Sequence, residues 1–197
     1  MLPRFNASMV LPPFTGDDPT LPATMSPYRS QMLEFAQHFA TSPERTGILN
    51  GLLDYREALR IATIDTARAF QWMDGSFVED VEQARARPPA DIDVVTFGYT
   101  PQFADKPAFD AWMTAHHALF DQRETKRLYS CDAYFVHMGK RPELLVDDTR
   151  YWFGLFSHQR ETALWKGMVQ IPLVSDDDQA RAHLQNLVFD EEGDDNA

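Results

Sequence analysis

Trp72-Met73-Asp74-Gly75-Ser76-Phe77 and, with fourteen residues between Ser76 and Asp91, Asp91-Ile92-Asp93-Val94-Val95 are the stretches on which the fold reading turns. Ala67 to Met73 alternates in the manner of a short strand and stops at Asp74-Gly75-Ser76. Phe77 to Arg85 reads as a short helix or ordered turn, closed by Pro88-Pro89. Ile92, Val94, Val95 and Phe97 then form a second strand. The interval between Ser76 and Asp91 is long enough for a short helix that returns the chain to an adjacent strand. Further on, Leu128-Tyr129-Ser130-Cys131-Asp132-Ala133-Tyr134-Phe135-Val136 is the clearest strand pattern in the chain, and it carries Asp132.

Outward from this centre the pattern becomes helical. Ser26 as N-cap and Pro27 at the first helical position predict one helix, with Met32, Phe35 and Phe39 on its apolar face. Ser42-Pro43-Glu44 predicts a second, with Ile48, Leu52, Leu53, Ala58 and Leu59 inward and Glu44 and Arg45 on the polar side. Residues 105–125 read as helix, with Phe109, Trp112, Met113, His116 and Leu119 along one side. Tyr151-Trp152-Phe153-Gly154-Leu155-Phe156 is an aromatic segment ahead of a last strand at Lys166–Leu173. A final amphipathic helix is expected over Asp176–Phe189. Six early prolines, from Pro3 to Pro27, predict an extended N-terminal segment over residues 1–26. The expectation is an α+β (α/β-like) single domain over 27–189, a small mixed β-sheet flanked by helices, followed by an acidic disordered tail over 190–197.

Composition bounds the function. No apolar run reaches the roughly 20 residues of a membrane span. The opening MLPRFNASMV lacks the basic-then-apolar order of a secretory signal. Cys131, the single cysteine, excludes an internal disulfide and a cysteine zinc cluster, and it reads as core filler. A cytoplasmic, reduced setting is the expectation. From Ser175 onward eight acids stand against Arg181, a balance of −7 within a formal charge of −12, so the body carries −5. That end reads as a solubilising tail. A chain this acidic is a poor non-specific ligand for nucleic acid, which argues against DNA as a partner.

Asp91 and Asp93 lie two apart on a strand, so both carboxylates leave one face while Ile92 and Val94 point to the core. Asp132 shares its face with Tyr134, and Cys131, Ala133 and Phe135 face the other way. Three such acids offer hard oxygen ligands to Mg²⁺. A glycine at a strand-to-helix turn allows close backbone approach to a phosphate, and the Ser76 hydroxyl and following N–H groups can donate to it.

The order of strand, Gly-Ser, helix, Asp-x-Asp strand and later Asp strand is similar to the DNA polymerase beta-like nucleotidyltransferase superfamily. That superfamily includes minimal nucleotidyltransferases, aminoglycoside nucleotidyltransferases and toxin–antitoxin enzymes, and the likeness covers Phe70 to Val136. Leu11-Pro12-Pro13, Trp72-x-Asp74-Gly75-Ser76-Phe77, Asp91-Ile92-Asp93-Val94 and Lys166-Gly167-Met168-Val169 resemble a functionally obscure bacterial family of minimal nucleotidyltransferase-like proteins. The resemblance implies a nucleotidyltransferase-like core that moves a nucleoside monophosphate from an NTP, such as ATP, to a hydroxyl acceptor on a protein side chain or RNA end. It implies two Mg²⁺ ions, with Mn²⁺ as a substitute, on Asp91, Asp93 and Asp132, the last also activating the acceptor hydroxyl. Gly75 and Ser76 would hold the terminal phosphates. A bacterial defence or toxin–antitoxin setting, with a cognate protein partner, rests on the resemblance alone.

The chain departs from the superfamily in two places. A glycine often follows Gly-Ser, and a serine often precedes the first aspartate; here those places hold Glu79-Asp80-Val81-Glu82 and Ala90. Glu79, Asp80 and Glu82 repel a triphosphate unless they point away from it. Lys166, Arg160 and Arg150 are the candidate phosphate contacts, Lys166 first because Gly167 beside it allows close approach. Adjacent helical residues point about 100° apart, which sets His116 and His117 aside as joint metal ligands. His137 and His158 read as surface or core-edge residues, and Tyr151, Trp152, Phe153 and Phe156 as core. Two other functions remain open on the same residues: a catalytically inactive module of this fold that binds a protein partner, and a metal-dependent phosphoesterase, which gives Gly75-Ser76 no special role.

Overall fold

The computed structural model describes residues 1–189. The acidic end over 190–197 lies outside the described residues.

Along the chain the elements are β1 (Tyr28–Arg29), α1 (Met32–Phe39), α2 (Pro43–Ile61), β2 (Phe70–Asp74), α3 (Val81–Arg85), β3 (Ile92–Gly98), α4 (Lys106–His116), α5 (Gln122–Tyr129), β4 (Cys131–His137), α6 (Pro142–Phe156), β5 (Val169–Pro172) and α7 (Asp177–Gln185). The five strands form one mixed sheet in the order β1-β5-β2-β3-β4. β3 and β4 are parallel, β2 is antiparallel to both β3 and β5, and β1 is parallel to β5. A mixed sheet flanked by helices is thus the architecture.

Strand alternation gives the sheet two apolar faces of unequal size. Met73, Ile92, Val94, Cys131, Ala133, Val169 and Ile171 point into the larger core, where Phe35, Leu49, Leu52 and Leu59 of α1 and α2 meet them. Trp72, Val95, Phe97 and Val136 point the other way, against Trp152 and Phe156 of α6. The N-terminal segment carries one 3₁₀ turn, Pro22–Thr24, and packs into the body. Leu2, Val10 and Leu11 are buried, and Val10 bridges to Glu79.

Several boundaries differ from the sequence expectation. Ser26 does not cap a helix: its hydroxyl accepts the Met168 amide at 2.9 Å, and Tyr28–Arg29 pair with Val169–Gln170 as a strand. α1 begins six residues later than Ser26, and its free amides are capped from the far end of the chain. Met32 donates to Oγ of Ser175 and Leu33 to Oδ1 of Asp176, both at 2.9 Å. The helix expected over 105–125 is two helices, capped by Asp105 and Asp121. Leu128 and Tyr129 end α5 rather than begin β4, because Ser130 at φ 54° stops the helix in the left-handed region. The last strand starts at Val169 rather than Lys166, and the last helix covers Asp177–Gln185, shorter than expected.

Two corrections concern charge. Arg45 of α2 is buried, only 2% exposed, rather than on a polar surface. The acids at Asp176–Asp178 do not begin a free tail. Asp177 is buried, accepts from Arg56 at 2.9 and 2.8 Å and takes Arg60 at 2.6 Å. Arg56, fully buried, also donates to Gln71 Oε1 at 2.7 Å, and Gln71 donates on to Thr96. Burial alone would raise the Asp177 carboxyl, but the hydrogen bonds and charges of Arg56 and Arg60 hold it below the usual carboxylate range.

Candidate active site

The sheet register builds the site. Asp74 stands opposite Asp93, and Asp93 opposite Asp132, so three aspartates form a row across β2, β3 and β4. β2 runs antiparallel to the other two, which brings its last residue beside their first turns. The row lies on the face of the smaller core, just beyond Trp72, Val95 and Tyr134. Asp91 sits immediately before β3, on the same side as Asp93.

Gly75 turns the chain away from this row. Its φ of 81° and ψ of −165° belong to a region that only glycine occupies readily. A Cβ built on Gly75 would meet Oδ2 of Asp93 at 2.8 Å, so the absence of a side chain is what lets the turn lie against the carboxylate. Ser76 opens a single 3₁₀ turn, Ser76–Val78.

These residues line one cleft of about 620 Å³, with Asp74, Gly75, Ser76, Asp91, Asp93 and Asp132 on its floor. Arg85, Arg87, Lys126 and Arg160 stand around it, and Leu155, Phe156 and His158 form part of the opposite wall. An acidic floor under a cationic rim suits a metal-chelated polyphosphate.

Two of the three acids after Ser76 are neutralised from within. Arg45 donates to the carbonyls of Phe77 (2.7 Å) and Glu79 (2.6 Å) and to both carboxylate oxygens of Glu82 (2.6 and 2.8 Å). Asp80 caps α3 through the Gln83 amide. Glu79 turns inward, taking Lys166 at 2.8 Å and Gln159 at 2.8 Å. Glu79 and Glu82 are met by Lys166 and Arg45, and Asp80 does not line the cleft. The loop that looks hostile to a nucleotide in sequence is a strapped scaffold.

Lys166 is 2% exposed and is the permanent cation of the floor. Its ammonium donates to the Gly75 carbonyl (3.1 Å) and to Glu79 (2.8 Å). It also lies 3.1 Å from Oδ1 of Asp74, at an angle too poor for a hydrogen bond. That oxygen is buried with no hydrogen-bond partner among the described residues. Burial alone would lower the Lys166 pKa, but Asp74 and Glu79 outweigh it and raise it. Gly167 does not serve Lys166 in the way its position suggests. It makes room for the Pro12 carbonyl, and its amide donates to Leu11 at 2.8 Å, so two of the motifs singled out in sequence meet each other in space.

Burial pushes the Asp74 carboxyl up to about 7, against the opposing pull of Lys166. Asp93 is pushed up to about 6, by burial first and then by the charges of Asp91 and Asp132. Tyr134 is pushed up to about 12, by burial first and then by Asp132. Asp91 is met by the ammonium of Lys126 from α5. Hydrogen bonding to Asp91 is the largest influence raising Lys126 above its ordinary value.

The donor chemistry fits a hard divalent cation: all-oxygen ligands, mutually repelling, one of them already balanced by an ammonium. As the side chains stand, no group of three His, Cys, Asp or Glu among the described residues is arranged to hold a metal ion.

Of the candidates, Gly75, Ser76, Asp91, Asp93, Asp132, Lys166 and Arg160 all line the cleft. Arg150 does not; it is exposed on α6, 3.9 Å from Asp147. His158 lines the cleft, and Trp152 and Phe156 are core as expected with Phe153 packed against them, but Tyr151, expected in the core, is 59% exposed. Sequence reasoning missed Asp74, Arg85, Arg87, Lys126 and all of α6. Strand parity with Trp72 was enough to place Asp74 on the site face. Pro142, with Leu145, Trp152 and Phe156 at helical spacing, marked α6.

The fold and site define an α+β protein with a carboxylate-floored cleft at one end of a mixed sheet. The chain belongs to the family of unknown function DUF6932, whose model matches residues 3–172 and so takes in every strand. No curated protein and no solved structure matches the chain. Among the described residues no helix is long and apolar enough to cross a membrane.

Proposed function

We propose that this chain is a divalent-metal-dependent nucleotidyltransferase that moves a nucleoside monophosphate from an NTP to a hydroxyl on a protein side chain or RNA end, in the cytoplasm. The observation that carries the reading is the register of Asp93 beside Asp132 with the Gly75 turn pressed against Asp93. A phosphate at Ser76 and a cation at the carboxylates then fall in one cleft.

Bound divalent cations supply charge neutralisation of the triphosphate and a more acidic acceptor hydroxyl. Asp91, Asp93 and Asp132 would hold them. The Ser76 hydroxyl and the amides that follow Gly75 hold the terminal phosphates, and Arg85, Arg87 and Arg160 contribute charge-assisted donors from the rim. The acceptor oxygen attacks the α-phosphorus and forms the new P–O bond. The bond from that phosphorus to the bridging oxygen breaks, pyrophosphate leaves, and the acceptor's proton passes to Asp132. Lys166 and Arg45 keep the turn and the loop 77–82 in place throughout.

The test is incubation of the protein with labelled NTPs, Mg²⁺ and cell extract beside the Asp91→Ala/Asp93→Ala variant. Labelling lost in the variant supports the reading, and equal labelling by both proteins overturns it. A second reading, an inactive module of this fold that binds a protein partner, draws on Lys126 covering Asp91 and on Lys166 being wholly engaged. Calorimetry with ATP and GTP plus Mg²⁺ separates the two, since no heat at millimolar nucleotide favours the module.

A further inference from the structure

We propose that Lys126 is a built-in counter-ion for the cation position at Asp91, and that a divalent metal ion binds there by displacing it. The inference rests on the reading of Asp91, Asp93 and Asp132 as metal ligands.

Two lysines serve the acidic floor, and they are held in opposite ways. Lys166 is buried and engages Gly75, Glu79 and Asp74 together, so removing it would strand two buried carboxylates. Lys126 is 56% exposed at its side chain and engages only Asp91, itself 16% exposed. Its backbone belongs to α5, and no other side chain among the described residues holds its ammonium. A lysine on a four-carbon stem gives up one exposed ion pair at small cost and regains hydration when it swings out.

Position makes the exchange specific. α5 leads through Ser130 directly into β4, so Lys126 comes from the same stretch of chain that carries Asp132. Without a metal ion, Asp91, Asp93 and Asp132 crowd three like charges at one strand end, and an ammonium at Asp91 relieves part of that repulsion. With a metal ion the same relief is supplied by a stronger charge, and the ammonium becomes a competitor. Lys126 thus offsets part of the charge of the metal-free site and makes it resist the capture of stray cations.

The experiment is calorimetric titration of the full chain with Mn²⁺ alone, comparing wild type, Lys126→Met and Lys126→Arg. Lys126→Met is expected to bind Mn²⁺ about 3- to 10-fold tighter, since it removes both a competing ion pair and a positive charge. Lys126→Arg, which keeps the cation, is expected to stay within about twofold of wild type, ruling out an effect of substitution as such. Wild type and Lys126→Met binding with equal affinity, or the variant binding more weakly, would overturn the counter-ion role while leaving the metal reading intact. No Mn²⁺ heat from any of the three proteins would overturn the metal reading itself.

Discussion

Gly75 and Asp93 are in contact range across two strands: a Cβ on Gly75 would stand 2.8 Å from the Asp93 carboxylate oxygen. The turn proposed to hold phosphate and the acid proposed to hold metal are therefore set by one another. Gly75→Ala forces a φ of 81° on an L-residue and pushes the carboxylate aside. The expected cost is about 1–3 kcal/mol in urea unfolding, together with loss of nucleotide binding in calorimetry. An alanine variant as stable and as competent as wild type would refute the role of the turn.

Lys166→Met leaves Asp74 and Glu79 buried without their cation. A loss of about 3–5 kcal/mol follows, measurable as a large fall in the urea midpoint. The same change at Lys126 should barely move that midpoint, because its ion pair is largely exposed.

Asp74 and Asp93 each make a pH-dependent contribution to stability, opposite in sign to that of Asp177, which is held low. Their folded pKa values, about 7 and about 6, lie above the ordinary 3.8. These two groups therefore bind more protons in the folded than in the unfolded state between about pH 4 and pH 7, and the stability they contribute falls as pH rises through that window. Asp93→Asn removes its share and should stabilise the metal-free protein by roughly 2–3 kcal/mol at pH 7.5 while abolishing Mn²⁺ binding. Melting curves from pH 4 to 8 check the sign, and a variant less stable than wild type at pH 7.5 would contradict it.

Arg56→Met should cost about 3–5 kcal/mol, since it leaves Asp177 and Gln71 short of a buried partner and frees α7 from the core. Chemical denaturation gives the number, and hydrogen exchange should show α1 and α7 loosening together, because Ser175 and Asp176 cap α1.

Arg87→Ala and Arg160→Ala test the rim. Both residues line the cleft, and Arg87 donates only to the neighbouring Pro88 carbonyl among the described residues. Each substitution is expected to weaken nucleotide binding by about 5- to 20-fold without changing the melting temperature. A fall in melting temperature with unchanged binding would assign them to the scaffold instead.

What the sequence by itself determined is local. Period-two alternation located β2, β3 and most of β4, and with them the faces of Asp91, Asp93 and Asp132. Ser42-Pro43 located the start of α2, because an N-cap hydroxyl and a proline ring act within one turn. The mixed α+β architecture followed from the order of those elements. Only the tertiary structure decided the rest, because the deciding partners are far apart in the chain. Glu79 reads as a hostile acid until Lys166 meets it across 87 positions, and Asp177 reads as tail until Arg56 meets it across 121. Asp74 becomes part of the site only when β2 pairs antiparallel with β3. A side chain's charge is written in the sequence, but whether that charge is buried, paired or open to a ligand depends on which distant segment folds over it.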